Sequence, residues 1–172
     1  MTRKKVAAGK KVVLPGVGAF GDFMFGLRER GLVDAVLNIA QRGVPLLGIC
    51  VGMQALFDVG EEMGEHKGLG LLRGRVARFA ESLLVKIPHT GWNQVRVKNE
   101  AALFRQVEDE AYVYFNHSYY CQATDFSDVI AEVEYGIRYA CAVRRENIFG
   151  VQFHPEKSQT VGLQILKNFV EA

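Results

Sequence analysis

Apolar residues in the first third of the chain fall into two short continuous runs and longer periodic segments. Residues 11–14 (KVVL) predict a short strand, and residues 23–41 carry apolar positions at helical spacing among charges, with an interruption near Gly31. Residues 45–49 (PLLGI) form an apolar run with Pro and Gly, which predicts a buried strand. Residues 53–57 (MQALF) are mostly good helix formers, so we expect a helix to follow that strand directly.

The second half of the chain changes to the alternating pattern of strands. Residues 60–70 are polar and glycine-rich, which predicts a loop, and residues 73–79 and 93–98 alternate polar and apolar side chains. Residues 111–115 (AYVYF) predict a more buried strand, and residues 129–151 contain three strands separated by turns.

The last apolar segment predicts a closing helix over residues 160–170, with one apolar face formed by Leu163, Leu166, Phe169 and Val170. No internal repeat or low-complexity segment divides the chain. The whole pattern indicates an α/β core sheet with an added antiparallel layer, and we expect residues 1–172 to form a single domain.

Composition excludes several classes of function. With 49% hydrophobic and 23% charged residues the chain resembles ordinary globular proteins, and a net charge of +2 predicts no nucleic-acid partner. No apolar run approaches membrane-spanning length, so we expect no membrane association. We predict that Cys121 and Cys141, in strand-like runs, are buried free thiols in a reducing cytoplasm. The four histidines lack metal-ligand spacing, so we predict no metal and no cofactor.

Residues 48–54 (GICVGMQ) place Cys50 where the buried strand meets the next helix. Gly48 and Gly52 flank it as two glycines flank the nucleophile of serine hydrolases, where larger side chains would block a sharp turn. A helix N-terminus also favours thiolate over thiol, so we expect a lowered pKa for Cys50. For a lone Cys the alternative is a small buried core residue, but the elbow pattern favours a nucleophile.

A second motif near the C-terminus supplies a base and a carboxylate. Residues 148–153 (IFGVQF) predict a strand that ends at His154, and Pro155 fixes the backbone before Glu156. A cysteine nucleophile needs a base that works near neutral pH, and this base needs an acceptor that fixes its tautomer. We therefore predict a catalytic triad of Cys50, His154 and Glu156, although the His-Pro-Glu run alone would fit a surface turn better.

The elbow at residues 48–54 and the FHPE run at residues 153–156 resemble the two signatures of the class I, or triad-type, glutamine amidotransferase family. Three further segments are similar to the glutaminase subunits of imidazole glycerol phosphate synthase, an enzyme of histidine biosynthesis: residues 14–20 (LPGVGAF), 88–93 (PHTGWN) and 157–158 (KS). The resemblance extends from about residue 12 to the C-terminus. It implies a flavodoxin-like α/β fold, with a mostly parallel central sheet, helices on both faces and an antiparallel β layer. The implied activity is hydrolysis of L-glutamine to glutamate and ammonia.

The resemblance also implies roles for residues around the triad. We expect the oxyanion of the tetrahedral intermediate to be bound by the backbone N–H of Val51 and by Val17 and Gly18, whose loop reorients to bring the Val17 N–H inward. The residues expected to hold the amino-acid end of glutamine are Gly52, Gln54, His117, Ser118 and Tyr119. From the residues alone, the loop fits a strand-ending turn, Gln54 an exposed helix residue and His117 a satisfied strand-end histidine.

Ammonia released in water would be lost, yet the sequence offers no phosphate-binding glycine loop and no second domain as an acceptor site. The resemblance implies a heterodimer with a cyclase subunit, a (β/α)8 barrel that makes imidazole glycerol phosphate and aminoimidazole carboxamide ribotide. The residues expected at that interface are His89, Trp92, Asn93 and Lys157. From the sequence alone, Trp92 could equally be a core residue of the β layer.

The front of the chain departs from the family pattern. Family members have a strand, an Asp-Tyr-Gly-x-Gly-Asn turn, a helix and a second strand before the PGVG segment, whereas here residues 1–11 occupy that space. The first strand would lie in the middle of the sheet, so we expect exposed strand edges and apolar surface near it. A shortened, non-catalytic fragment therefore stays open as an alternative. Another triad amidotransferase is a second alternative, because the general motifs would serve any of them.

Overall fold

The computed structural model describes residues 6–98 and 101–171. The helices are α1 (Phe20–Glu29), α2 (Leu32–Gln41), α3 (Val51–Gln54) and α4 (Gln159–Glu171), with short 3₁₀ turns at Glu81–Leu83, Ala102–Phe104, Phe126–Asp128 and Pro155–Lys157. The strands are β1 (Val12–Gly16), β2 (Leu46–Cys50), β3 (Val59–Gly60), β4 (His66–Lys67), β5 (Gly74–Arg78), β6 (His89–Gln94), β7 (Arg96–Val97), β8 (Tyr112–His117), β9 (Tyr119–Ala123), β10 (Val129–Tyr135), β11 (Ile137–Arg145) and β12 (Ile148–Val151).

The main sheet has the strand order β1-β2-β12-β11-β9-β5-β3-β4. Strands β1, β2 and β12 are parallel to one another, as are β3 and β5, whereas β11, β9 and β5 are joined by antiparallel pairing. Strand β10 pairs with β11 and β7, and β6 pairs with β8 in a separate two-stranded sheet. The predicted α/β core with an added antiparallel layer is therefore confirmed.

Strands β2 and β12 are buried at every position, as expected of parallel strands covered on both faces. Leu46 of β2 packs in a core cluster with Met24 of α1 and Ile39 of α2. Its neighbour Leu47 belongs to a second cluster that contains Phe169 of α4. Because successive strand residues point to opposite faces, helices α1 and α2 cover one face of this part of the sheet and α4 covers the other.

The sequence located most elements correctly but not all of their ends. The predicted break near Gly31 separates α1 from α2, and Gly31 there has a φ of 59°, in the left-handed region. The helix after β2 is a single turn, Val51–Gln54, instead of extending to residue 57. The predicted loop at residues 60–70 includes the short strand β4, and β3 ends at its first residue.

The predicted apolar face of the closing helix α4 is half right, because Phe169 is buried and Leu166 packs against the core. Leu163 and Val170 are exposed, and the buried positions are Gly162, Ile165, Asn168 and Phe169. At Gly162 a Cβ would overlap the carbonyl oxygen of Pro155, and the Asn168 amide donates hydrogen bonds to the carbonyls of Leu103 (3.0 Å) and Arg105 (2.6 Å). Two of the buried positions of this helix are thus occupied by a glycine and an asparagine. The spacing of hydrophobic residues alone does not reveal that these two positions are buried.

Among the described residues, β1 forms one end of the main sheet, and Val13 on it is exposed. The expectation of an open edge near the chain's front agrees with this arrangement, while residues 1–5 lie outside the described part. In that described part, no helix has the length and apolar character needed to cross a membrane.

Candidate active site

Three parallel strands bring the predicted catalytic segments to one edge of the sheet. The register aligns Gly16 of β1 with Cys50 of β2, and Ile49 of β2 with Val151 of β12. The loop after β1, Cys50 at the end of β2 and His154 beyond β12 therefore emerge together at the carboxyl ends of these strands, where α/β sheets bind ligands.

This edge holds a cavity of about 270 Å³. Cys50 and His154 line it, together with Val17, Gly18, Val51, Gln54, Glu62, Pro88, Asn116, His117, Ser118, Tyr119 and Lys157. The lining mixes donors, acceptors, one carboxylate and one ammonium, a set suited to a small zwitterionic molecule.

The turn at Cys50 is strained and closely packed. Cys50 has φ 54° and ψ −114°, an unusual conformation for a residue with a side chain. A Cβ on Gly48 would lie 2.5 Å from the carbonyl oxygen of Gly52, and one on Gly52 would overlap the carbonyl of Leu14. The two glycines are therefore required by the close approach of β2, α3 and β1, as the elbow pattern predicted.

The predicted lowering of the Cys50 pKa is wrong for this structure. Burial raises the pKa of the thiol to about 11, and the charge of Glu156 adds to that rise. Hydrogen bonding from the Val51 backbone N–H and from the Gln152 side chain opposes it, but burial prevails. Helix α3 is only one turn long, so its N-terminus contributes little against desolvation. A thiol with a raised pKa can act as a nucleophile only if a base takes its proton.

His154 has the hydrogen bonds that such a base needs. Its Nδ1 lies 2.8 Å from Glu156 Oε1, and because a carboxylate accepts, Nδ1 carries the proton and Nε2 is left as an acceptor. The backbone N–H of His154 donates to the carbonyl of Tyr114, and the Ser158 hydroxyl donates to the carbonyl of His154. These bonds fix the turn after β12 against β8, so the imidazole has a defined place in the cavity wall.

The proposed oxyanion loop is open to solvent. Val17 is 79% exposed, and a Cβ on Gly18, where φ is 85°, would meet no atom within 4 Å. Both residues line the cavity with Val51. The loop therefore has the space and the glycine conformation that a peptide reorientation requires.

The sequence as a whole was compared with known proteins. A family model described as glutamine amidotransferase class-I matches residues 2–172. The chain belongs to the class I glutamine amidotransferases. Among curated relatives, "Imidazole glycerol phosphate synthase subunit HisH" of Moorella thermoacetica is 50% identical over 97% of this chain and 79% of the relative. The subunit of the same name from Desulfitobacterium hafniense (strain Y51) is 48% identical over 96% of this chain and 77% of the relative.

Solved structures agree on the fold. A crystal structure of a glutamine amidotransferase covers 99% of this chain and 82% of its own, with a TM-score of 0.74 and 21% identity. PurLQS from Thermotoga maritima covers 94% of this chain and 79% of its own, with a TM-score of 0.68 and 18% identity. At these identities the likeness supports the class I amidotransferase fold alone.

Within this amidotransferase, two residues predicted at the site serve a buried framework. His117 Nδ1 donates to the carbonyl of Tyr119 (2.8 Å), so its Nε2 accepts the hydroxyl hydrogen of Tyr139 (3.0 Å). That hydroxyl in turn accepts from His89 Nδ1 (2.9 Å). His89 is only 3% exposed, which corrects the expectation that its side chain faces a partner. Both ring nitrogens of His117 have hydrogen-bond partners, as the alternative interpretation of a satisfied histidine requires. His117 nevertheless lines the cavity.

The predicted glutamine-binding residues divide into two groups. Gln54, His117, Ser118 and Tyr119 line the cavity, and Gln54 is buried, so its alternative interpretation as an exposed helix residue is wrong. Gly52 is not among the lining residues and packs under Leu14, so its place differs from the prediction.

Glu62, Asn116 and Gln152 are polar residues of this site that were not predicted from the sequence. Glu62 lines the cavity, and its Oε2 accepts from the Phe20 N–H (2.7 Å) at the start of α1. Gln152 is fully buried, with its Nε2 3.7 Å from Cys50 Sγ. Glu62 lies in the segment predicted only as a loop, so no pattern marked it as a site residue. Gln152 directly precedes the FHPE signature, and this position next to the predicted base could have indicated it.

Of the remaining residues assigned to a partner interface, Lys157 lines the cavity, and Trp92 and Asn93 are at least partly exposed. Trp92 is 45% exposed, which excludes the alternative of a core tryptophan, and its ring meets Tyr114 edge-on at 6.0 Å. Lys157 Nζ lies 5.8 Å from the centre of the same Tyr114 ring. Asn93 Nδ2 donates to the carbonyl of Glu134 (2.9 Å) and lies 3.3 Å from His89 Nε2, so its amide bridges this surface and the buried framework. Among the described residues, no group of three or more His, Cys, Asp or Glu side chains could hold a metal ion.

Proposed function

We propose that this chain is the glutaminase subunit of an imidazole glycerol phosphate synthase in histidine biosynthesis. It hydrolyses L-glutamine and passes ammonia to a cyclase subunit that makes imidazole glycerol phosphate and aminoimidazole carboxamide ribotide. The observation that carries the proposal is the convergence of Cys50 with the bonded pair His154 and Glu156 on one cavity, in a class I amidotransferase 48–50% identical to HisH subunits.

The chemistry begins with proton transfer from the Cys50 thiol to His154 Nε2, since Nδ1 is committed to Glu156. The thiolate attacks the carboxamide carbon of glutamine, and the imidazolium then donates its proton to the amide nitrogen, so that the C–N bond breaks, ammonia leaves and a thioester to Cys50 remains. Water attacks the resulting thioester with His154 as base, which forms glutamate and restores the thiol. Glu156 stabilises the imidazolium in both halves of the reaction.

Two backbone donors are proposed for the oxyanion: the N–H of Val51, directly after the nucleophile, and the N–H of Val17 once the exposed loop reorients. Loss of one such donor costs on the order of 3 kcal/mol of barrier. Replacing Val17 by Pro removes its N–H, so glutaminase activity should fall roughly 100-fold while Val17→Ala stays near wild type. Equal activity of both variants would reject the loop's role.

The remaining cavity residues are proposed to hold the amino-acid end of glutamine. The Glu62 carboxylate is fixed by the Phe20 N–H and suits the substrate ammonium, while Gln54, Ser118 and Tyr119 supply further polar groups. We propose that Gly52 contributes by allowing the close packing at the Cys50 turn. We propose that His117 contributes by its hydrogen bond to Tyr139, which holds this side of the cavity in place.

The partner is proposed to be a (β/α)8-barrel cyclase subunit that docks against Trp92, Asn93 and Lys157. Exposed aromatic residues with a neighbouring cation are typical anchors of protein interfaces. Trp92→Ala should weaken cyclase affinity by about tenfold or more, whereas Phe126→Ala, at another exposed aromatic residue, should not. Equal affinities of the two variants in a titration would remove Trp92 from the interface.

The decisive experiment measures glutamate release by the full chain alone, with a cyclase subunit, and with that subunit plus its ligand. Activity that requires Cys50 and rises with the liganded cyclase supports the proposal, and Cys50→Ser is the control. Release of glutamate that ignores the cyclase would instead indicate another triad amidotransferase. We also propose a cytoplasmic location, which the unpaired Cys50, Cys121 and Cys141 support.

A further inference from the structure

The Gln152 side chain lies between the nucleophile and the substrate-binding wall. It follows β12, its backbone N–H donates to the carbonyl of Cys141 (2.8 Å), and its side chain is fully buried. Its amide contacts two groups: Cys50 Sγ, 3.7 Å from Nε2, and the Gln54 amide, whose Nε2 is 3.1 Å from Oε1. The triad chemistry assigns no part to this residue.

The orientation of both amides follows from one backbone carbonyl. The carbonyl oxygen of Tyr119 can only accept, so the Gln54 atom 3.0 Å from it must be the NH₂ group. The second hydrogen of that NH₂ group is directed to Gln152, which must present its oxygen there. The Gln152 NH₂ group is therefore turned toward the sulfur of Cys50.

We propose that Gln152 donates an N–H to Cys50 Sγ and stabilises the thiolate, and that Gln54 holds it in that orientation. A buried thiolate has lost its hydration, so each fixed donor favours it over the thiol. The other donor directed at this sulfur is the Val51 N–H. Burial raises the Cys50 pKa to about 11, so the nucleophile depends on such donors to ionise.

The arrangement links substrate binding to the nucleophile. Gln54 lines the cavity and also bonds Gln152. A ligand that restricts the motion of the Gln54 side chain therefore also restricts the Gln152 amide that donates to the sulfur. This link rests on the proposed function, because it requires glutamine at Gln54. The donor role of Gln152 itself is testable without glutamine.

The test is the rate at which iodoacetamide alkylates Cys50 between pH 7 and 9, followed by mass spectrometry of the Cys50 peptide in the full chain. Gln152→Met keeps the side chain's length and removes the donor, so alkylation should slow about three- to tenfold at each pH. Gln152→Glu replaces the donor by an anionic acceptor and should slow it further. Gln122→Met, at an exposed glutamine bonded to Tyr120, should match the unsubstituted chain.

Folded Gln152→Met and Gln152→Glu proteins with unchanged alkylation rates would overturn the proposal. Circular dichroism and urea unfolding establish that each variant is folded. If neither variant folds, ¹⁵N spectra of the unsubstituted chain decide. The Gln152 side-chain signal, assigned by its contacts to the Cys50 Hβ atoms, should move as the pH is raised toward the Cys50 pKa of about 11 and stay fixed in Cys50→Ser. An equal shift in both proteins would contradict the donor role.

Failure of the proposed function has a different signature. If the unsubstituted chain with its cyclase releases no glutamate, the glutaminase proposal fails while the alkylation comparison still measures Gln152. If glutamate is released at equal rates by the Gln152→Met and unsubstituted chains, and alkylation is also equal, only the Gln152 inference is lost.

Discussion

Three histidines are buried at this end of the molecule, but they have different partners. His154 pairs with Glu156, a carboxylate whose side chain is 51% exposed, and it faces the cavity. His89 and His117 are joined instead through the neutral hydroxyl of Tyr139. The comparison teaches that burial does not by itself indicate a catalytic histidine. Whether the ring can exchange a proton depends on the group that is hydrogen-bonded to its other nitrogen.

The electrostatics follow the same division. Burial lowers the pKa of His117 to about 3 and that of His89 to about 4, so both rings remain neutral near pH 7. The hydroxyl of Tyr139 offers no charge to hold an imidazolium. Only His154 has a carboxylate beside Nδ1 that stabilises the ring when Nε2 takes a proton. The His89–Tyr139–His117 group is therefore a framework, whereas His154 has the arrangement that the proposed proton transfer requires.

The largest expected effect comes from removing the proposed proton carrier. His154→Asn should lower glutaminase turnover by on the order of 10³-fold, since general acid–base help in both half-reactions is lost. The free energy of unfolding should change little by comparison. Glutamate release with saturating cyclase and urea unfolding measure the two effects. Turnover within tenfold of the unsubstituted enzyme would put His154 in the same class as the framework histidines.

Acidification should act on the framework pair. Their folded pKa values lie below the ordinary 6.5, so between that value and about 4 the unfolded state binds more protons. Their contribution to stability is complete above pH 6.5 and is lost as the pH falls. Unfolding by urea at a series of pH values should show a loss of about 3 kcal/mol from pH 7 to pH 5. His89→Gln should weaken this dependence, and an equally steep profile in that variant would contradict the assignment.

Removing the shared hydroxyl should cost stability more than activity. Tyr139→Phe leaves His89 Nδ1 and His117 Nε2 without their hydrogen-bond partner, and two unsatisfied buried groups cost about 2–3 kcal/mol. Tyr120→Phe is the matched control, because its hydroxyl bonds the exposed Gln122 and its ring also packs on Phe79. Urea midpoints of the two variants give the comparison. A Tyr139→Phe protein as stable as the control would show that the buried relay contributes nothing.

The smallest effect should come from neutralising the carboxylate beside His154. Glu156→Gln is expected to lower turnover about 10- to 100-fold, because an amide orients the ring but stabilises the imidazolium poorly. Stability should change by less than about 1 kcal/mol, since the carboxylate is half exposed. Glu81→Gln, at another exposed carboxylate, serves as control, and unchanged turnover in Glu156→Gln would reduce the triad to a pair.

The contrast between the framework and the proposed proton carrier was only partly readable in the sequence. The FHPE run identified His154 and Glu156 because both are local neighbours, and the glycines around Cys50 identified the elbow because they answer a local steric demand. His89 lay in a motif assigned to the surface, and its burial depends on Tyr139, fifty residues away along the chain.

The sequence by itself determined the strand-to-helix elbow at Cys50, the His154–Glu156 pair after β12 and the class I amidotransferase family, since spacing and residue type are sufficient for these. Tertiary structure decided what surrounds them: the raised pKa of Cys50, the Gln152 amide turned to its sulfur, Glu62 at the cavity and the buried face of α4. Those properties depend on desolvation and on contacts between distant segments, which no local pattern encodes.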